Sequence, residues 1–348
     1  MPRSDIAQVG GASGVLGTSG RLDVNRHRPY LNQDGQPRIV GNDGRPLVAN
    51  DGALLRYNEW KDIDTEVVKV ATDRLVGIRD LQAAGLTHNL GSLGITLSQW
   101  EEESDMTGAD VSMSGITDGE EDTPAWNLRD VPVPIFHKDF SVNIRRLEAS
   151  RMVGESIDVT AASIASRRVS EKSEDMLFGG APIVVEGKKL YGYTNMPGRT
   201  QIDLGTNWDT LTQAQNATIL DDVQSMLQAA RDDKHHGPFV LYVPRGYEYK
   251  LDEDFNVNYP GVTVRERLEK LGGISRVQVA DRLPAHNLAL VQMSRDTVDL
   301  AIAQPIATVQ WSTKGGMVEN FKVMACWAAR LKSDYDGRSG IVHLRPAP

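Results

Sequence analysis

The sequence predicts a mixed α and β protein built as two lobes with extensions, and three observations carry that prediction. The chain has 348 residues, more than one small core accommodates, since domains commonly hold about 100–200 residues. Stretches of helical periodicity are interspersed with short apolar segments of strand character, without the regular alternation of a doubly wound nucleotide-binding fold. Two long stretches, Met1–Gly52 and Glu101–Asp122, are too polar and turn-rich to make cores of their own.

Composition narrows the function classes. Hydrophobic residues make up 40% and charged residues 24%, which is ordinary for a globular chain and excludes global disorder. The net charge is −9, and no basic stripe marks a surface that grips phosphate by counterion release. The N-terminal Met1-Pro-Arg-Ser-Asp lacks the apolar run of a signal peptide, so synthesis and residence in the cytoplasm are expected. Leu81–Trp100 carries no formal charge, but Gly85, Thr87, His88, Asn89, Gly91, Ser92 and Gly94 make it too polar for a membrane span. The lone Cys326 lies in the apolar run Phe321–Ala329, where a buried core thiol is expected.

Read in order, Met1–Gly52 repeats the turn formers Asp34-Gly, Asn42-Asp-Gly and Asn50-Asp-Gly and reads as a coreless arm. Ile63, Val67, Ala71, Leu75, Ile78 and Leu81 predict one amphipathic helix over 63–84, stopped by Gly85. Leu93–Leu97 alternates like a strand, and Val111 with Met113 reads as its return, giving a long hairpin. Its outer part, Glu101–Asp122, holds nine acidic residues and no Lys or Arg; a loop of that length without a core usually has a partner. Val131–Ile135 and Phe140–Ile144 read as strand, the prolines confining the first part to a sheet edge. Ala162, Ala165, Val169, Ser173 and Met176 then predict a helix on whose other face Arg167 and Glu171 can pair, ended by Gly179-Gly180.

A second helix is predicted to open with a capping box at Thr210–Gln213 and to bury Ile219, Val223, Met226, Leu227 and Ala230. Lys234-His235-His236-Gly-Pro closes it, the cations favoured by the helix dipole. Further predictions are strands at Phe239–Val243, Val277–Val279, Leu288–Met293, Val298–Ala303, Ala307–Trp311, Phe321–Leu331 and Gly340–Leu344, with a short helix at Val264–Leu271.

The search for chemistry finds little. Gly14, Gly17 and Gly20 have neither the strand before them nor the helix after them that a phosphate cradle needs. Asp334–Gly337 lacks the later acidic ligand of a calcium loop and reads as a plain turn. No nucleophile elbow, zinc-protease helix or phosphate-binding loop occurs, and no His is spaced with a Ser, Cys or carboxylate as a nucleophile and its base would be. The sequence predicts no enzyme, no cofactor and no metal.

Val131-Pro-Val-Pro-Ile-Phe-His-Lys-Asp-Phe-Ser-Val-Asn-Ile-Arg-Arg-Leu-Glu148, followed by Ala161–Gly180, Gly192–Gly198, Gly237–Val243 and Asn320–Arg330, resembles the tailed-phage major capsid proteins and encapsulins in order and spacing. The resemblance covers roughly Leu86–Leu344. It implies the Hong-Kong-97-like capsid fold: an N-terminal arm (1–52), a helix joining arm to loop (53–85), an extended loop (86–141), a peripheral domain with a long spine helix (142–205), an axial domain (206–305) and a return to the peripheral domain (306–348). It implies a virion capsid assembled in the host cytoplasm from hexamers and pentamers of the same chain. Double-stranded DNA would be enclosed without sequence-specific binding, and scaffolding, portal and decoration proteins are candidate partners. Candidate subunit contacts are the acidic Glu101, Glu102, Glu103, Asp105, Asp118, Glu120, Glu121 and Asp122, which call for cations such as Arg145, Arg146 and Arg151 of a neighbour. No lysine lies between Lys69 and Lys138, so the loop cannot supply the lysine of the family's covalent crosslink and a non-covalent shell is expected. The resemblance leaves an encapsulin compartment as the alternative, and the arm and long hairpin favour the phage head because encapsulins tend to be more compact at both places. A soluble α/β enzyme or binding protein is the further alternative.

Overall fold

The computed structural model describes residues 30–31, 37–40, 46–48, 55, 57–104, 106, 108, 111, 113, 123–153, 159–256 and 261–347. Most of the arm, most of the loop tip and residues 154–158 therefore lie outside the described residues. Strands β1 (Tyr30–Leu31), β2 (Pro37–Val40) and β3 (Pro46–Val48) form an antiparallel meander. The turn-forming Asp34-Gly and Asn42-Asp-Gly fall between these strands, so the arm contains a small sheet that its composition had concealed.

The expected helix over 63–84 is two helices, α1 (Tyr57–Arg74) and α2 (Gly77–Ala83). The break has a physical cause further along the chain. In α4 (Thr160–Phe178), which follows α3 (Ile144–Val153), the Glu174 carboxyl oxygens accept the backbone N–H groups of Gly77 at 3.1 Å and Ile78 at 3.2 Å. They thereby cap the first turn of α2 with a side chain from another helix. Gly77 permits the approach: a Cβ there would lie 2.7 Å from the Phe178 ring.

β4 (Thr87–Asn89), β5 (Leu97–Glu103), β6 (Trp126–Pro132) and β7 (Ile135–Asn143) precede α3. The hairpin exists, but its strands are β5 and β6, in register from Leu97↔Pro132 to Glu103↔Trp126. Val111 and Met113 are fully exposed and belong to no strand; two apolar residues offered too little alternation to outweigh Trp126-Asn-Leu-Arg-Asp-Val. The outward strand also starts at Leu97 rather than Leu93, because Leu93-Gly94 forms a turn.

The spine helix α4 buries Ala162, Ala165, Val169, Ser173 and Met176, the predicted face. Ser166 adds a hydrogen bond to the Val67 carbonyl of α1 at 2.7 Å. The small Ala and Ser side chains let α1 come close, while the opposite flank of α4 packs on β7 and β15 (Val318–Leu331). Gly179 ends the helix as expected, since a Cβ there would fall 2.4 Å from the Asp175 carbonyl oxygen.

Beyond the spine come β8 (Ile183–Val185), β9 (Lys188–Leu190) and β10 (Thr200–Leu204), then α5 (Asn216–Asp232), β11 (Phe239–Pro244), α6 (Glu248–Leu251), α7 (Val264–Glu269), β12 (Ile274–Ala280), β13 (Leu288–Gln292), β14 (Val298–Thr313), β15 and β16 (Ile341–Pro346). The capping box before α5 is formed by Thr212 and Gln215, two residues later than the spacing at Thr210 indicated. All five predicted core residues of α5 are buried. The two strands expected at 298–303 and 307–311 are one strand, β14, whose register shifts around Gln304–Ala307 accommodate Pro305.

Two sheets organise these elements. One runs β4-β14-β15-β7, with β7 at an edge, and the prolines at 132 and 134 fall at the end of β6 and in the link before β7; the other is mixed, β10-β16-β13-β11-β12. The mixed sheet is covered on both faces. Phe239, Leu241 and Val243 of β11 enter a core with α5 and α7, while Val240 and Tyr242 enter the core that holds α1, α2 and α4. Six consecutive buried residues in β11 follow from that double cover. At the exposed edge, β12 is blunted by α7: Glu269 accepts the Val277 N–H at 3.3 Å and Arg265 donates to its carbonyl at 3.4 Å.

A Gly192→Ala variant tests how tightly the spine is seated. Its Cβ would sit 2.6 Å from the carbonyl oxygens of Met176 and Leu177, so a loss of about 1–3 kcal/mol is expected in thermal unfolding. Gly205→Ala, with open space around it, should stay within about 0.5 kcal/mol of the parent.

Candidate assembly surface and its anchorage

The hairpin β5–β6 leaves the body at the end of the long β14–β15 pair, and a charge network fixes its root. Asp299 and Arg330 face each other across that pair. Arg330 donates twice to Asp299, at 2.5 and 2.6 Å, and Lys332 adds a contact at 2.9 Å. Burial alone would raise the Asp299 carboxyl, but hydrogen bonds and charge from Arg330 and Lys332 outweigh it and hold the carboxyl below its ordinary value. Arg330 also reaches Ser98 of β5 at 3.5 Å. Further out, Glu102 accepts from Arg129 of the return strand at 2.8 Å and from Ser333 at 3.1 Å. Asp130 pairs with Lys188 of β9. A cleft of about 440 Å³ lies at this root, lined by Trp100, Arg129, Lys188, Tyr191 and Leu331 among others.

The antiparallel register gives the hairpin two faces. Ser98, Glu102 and Val131 turn inward and are buried, whereas Glu101, Trp126, Leu128 and Asp130 point outward. Trp126 and Leu128 are 61% and 60% exposed, which is unusual for residues of that size standing together.

The predicted contact residues separate into three groups. Glu101, Arg145 and Arg146 are described and exposed, the two arginines in the first turn of α3. Glu102 is described and buried, engaged within its own chain at the hairpin root. Asp105, Asp118, Glu120, Glu121 and Asp122 lie outside the described residues, as do the side chains of Glu103 and Arg151. Sequence reasoning missed Asp299, Arg330, Lys332 and Ser333. The available signal was Asp299 inside the apolar run Val298–Ala303 and Arg330 at the far end of Phe321–Leu331, because buried charges come paired.

Elsewhere the chemistry is structural. Cys326 is buried, as predicted, and burial pushes its thiol up to about 11. Asp334–Gly337 is a turn closed by the Gly337 N–H on the Asp334 carbonyl at 3.0 Å. Among the described residues no group of three His, Cys, Asp or Glu side chains could hold a metal ion, and no helix is long and apolar enough to cross a membrane.

An arm, a long hairpin rooted beside a sheet edge, a spine helix and a second lobe on a mixed sheet together make the Hong-Kong-97-like capsid fold, the shell fold of phage capsids and encapsulins. The chain belongs to a family of unknown function, DUF6260, whose model matches residues 50–344. It is 26% identical over 287 residues to the type 1 encapsulin shell protein EncA of Myxococcus xanthus (strain DK1622), covering 80% of this chain and 90% of that protein. In structure it is similar to the virus-like particle from Pyrococcus furiosus, with a TM-score of 0.58 and 16% identity over 82% of this chain and 98% of that one. It is also similar to the capsid of Myoviridae phage XM1, with a TM-score of 0.55 and 14% identity over 78% and 92% of the two chains.

Replacing Asp299 by Ala leaves Arg330 buried without its carboxylate. A loss of about 3–5 kcal/mol in denaturant unfolding is expected, against much less for Arg338→Ala on the exposed turn. Because the Asp299 carboxyl is held low, its contribution is present above the ordinary aspartate value of 3.8 and is lost as the pH falls from there toward its lower folded value.

Proposed function

We propose that this chain is a non-enzymatic, self-assembling shell subunit that closes into an icosahedral particle of hexamers and pentamers through non-covalent contacts of arm, extended loop and spine region. The observation that carries the proposal is the hairpin. It is anchored by a buried ion-pair network and covered on its inner face, yet it carries exposed Trp126 and Leu128 outward. A strand pair held this firmly, whose Trp126 and Leu128 stay exposed beside an Asp130 already paired with Lys188, is suited to lie on a neighbour, and repeated heterologous contacts of this kind close by symmetry. The lobes follow the ranges given above, with residues 142–205 and 306–348 as the peripheral domain and 206–305 as the axial domain.

Arg145 and Arg146 support the same reading. Two cations in the first turn of α3 stand at the positive end of the helix dipole, where they are disfavoured within the helix itself. Both are exposed and so placed to meet the acidic Glu101 and the Glu103–Asp122 segment of a neighbour. Glu102 is left out of that contact by its engagement with Arg129 and Ser333.

The particle is read as a phage head enclosing double-stranded DNA, on the strength of the segment before α1 and the long acidic hairpin tip. A second reading, an encapsulin compartment, is favoured by the likeness to EncA across most of both chains. Size-exclusion chromatography with negative-stain microscopy tests the shell itself: hollow megadalton particles are expected, and a species near 38 kDa at every concentration contradicts it. The contents of native particles separate the two readings, nuclease-protected DNA for the head and a packaged protein for the compartment. Arg145→Glu with Arg146→Glu should abolish assembly of a subunit that still folds; normal shells from that variant remove the proposed pairing. Hot denaturant should release single subunits.

A further inference from the structure

A buried acidic cluster sits where α2, the spine helix α4 and the mixed sheet meet. Glu174 is 3% exposed and holds the first turn of α2 through Gly77 and Ile78. Asp80, three residues into the same helix and 2% exposed, accepts from Tyr242 of β11 at 3.1 Å and from Arg276 of β12 at 2.7 Å. Tyr193 stacks on Tyr242 at 5.9 Å, and both rings pack edge-on against Phe178. The Tyr193 hydroxyl is buried and has no hydrogen-bond partner among the described residues. Two carboxyl groups and the Tyr193 hydroxyl are thus buried together at a three-element junction. Glu174 also lines a cleft of about 350 Å³.

We propose that Glu174 works as a proton-operated latch at this junction, clamping α2 to the spine and the sheet when its carboxyl is protonated and loosening the clamp when it is ionised. The proposal concerns the joint between the arm-side helices and the body, and holds whatever the particle encloses.

The charges facing Glu174 come from every element around it. Asp80 and Arg79 stand on α2, Asp175 is its neighbour on α4, and Tyr193 and Tyr242 close the aromatic side. Across the cleft lie Asp73 and Arg74 at the end of α1, Arg245 and Glu248 after β11, and Asp281 and Arg282 after β12. Most of these are already engaged: Arg282 with Asp175, Arg245 with Asp281, and Arg276 with Asp80. Burial therefore dominates. It raises the Glu174 carboxyl, the N–H groups of Ile78 and Gly77 pull it back, and the Asp80 charge raises it further, leaving it at about 7 against an ordinary 4.5.

The sign follows from linkage. A conformation that exposes Glu174 to water releases its proton near the ordinary value, whereas the closed junction holds it to about 7. Below 4.5 both forms are protonated and opening is independent of pH. Between 4.5 and about 7 each unit rise favours opening by up to about tenfold, and above that range the effect is complete. The junction is tightest in acid and loosest above neutral pH.

Hydrogen exchange on the full-length protein in its native assembly tests this. After correction for chemical exchange, protection of the Gly77–Ala83 amides should fall by at least about tenfold between pH 5 and pH 7 and then level off. Glu174→Gln should flatten that profile while leaving the protection of β13 unchanged. A flat profile in the parent, or the same fall in the variant, overturns the latch. Should the variant fail to fold, infrared spectra of the parent decide: a buried carboxylic-acid band that disappears around pH 7 is expected, and its absence at pH 6 contradicts the proposal.

Discussion

Strand β11 has no free face, and the rest of the molecule is arranged around that constraint. Alternate residues of one short apolar run enter two different cores, so the lobe built on α5 and α7 cannot move without disturbing the lobe built on the spine. Burying both faces removes a large apolar area from water, at roughly 25 cal/mol per Å². The same double cover carries the polar cost of the design, because Tyr242 brings a hydroxyl into the interior and Asp80, Arg276 and Glu174 gather around it. The two lobes are therefore coupled mechanically through packing and electrostatically through one acidic cluster.

The surfaces divide into those closed by the chain itself and those left for others. The edge of β12 is sealed by Arg265 and Glu269, which satisfy Val277 on both its N–H and its carbonyl, so that edge is a poor template for added strands. Among the described residues, Trp126 and Leu128 on the outer face of β6 stay exposed, and only Asp130 at its root is held, by Lys188 of β9. In the proposed shell, blunting one edge and leaving a large aromatic exposed on an anchored hairpin would direct association to the hairpin. The network of Asp299, Arg330 and Lys332 supplies the rigidity by tying the hairpin root to the longest strand pair in the fold.

Much of this was legible in the sequence. The buried face of α4, its stop at Gly179 and the core positions of α5 follow from periodicity and terminal chemistry that depend on neighbouring residues alone. The doubly covered β11 reads as an unbroken apolar run for the same reason. What could not be read depended on partners far along the chain. The break between α1 and α2 is set by Glu174, about a hundred residues away, and the hairpin root by Asp299 and Arg330 meeting through a register that only the folded pair defines. The two-residue alternation at Val111 and Met113 carries almost no information about the return strand, and the charges of Trp126–Val131, which the structure turns to solvent or pairs, mask the strand that forms there.

The central claim is that the anchored hairpin is a reaching element for a neighbouring copy. Electron cryomicroscopy of the particle measures this directly. The account predicts that Trp126 and Leu128 lie buried against an adjacent subunit, with the segment 103–122 beside that subunit's cations. Particles in which both side chains face solvent, or a chain that forms no particle under any condition, would contradict it.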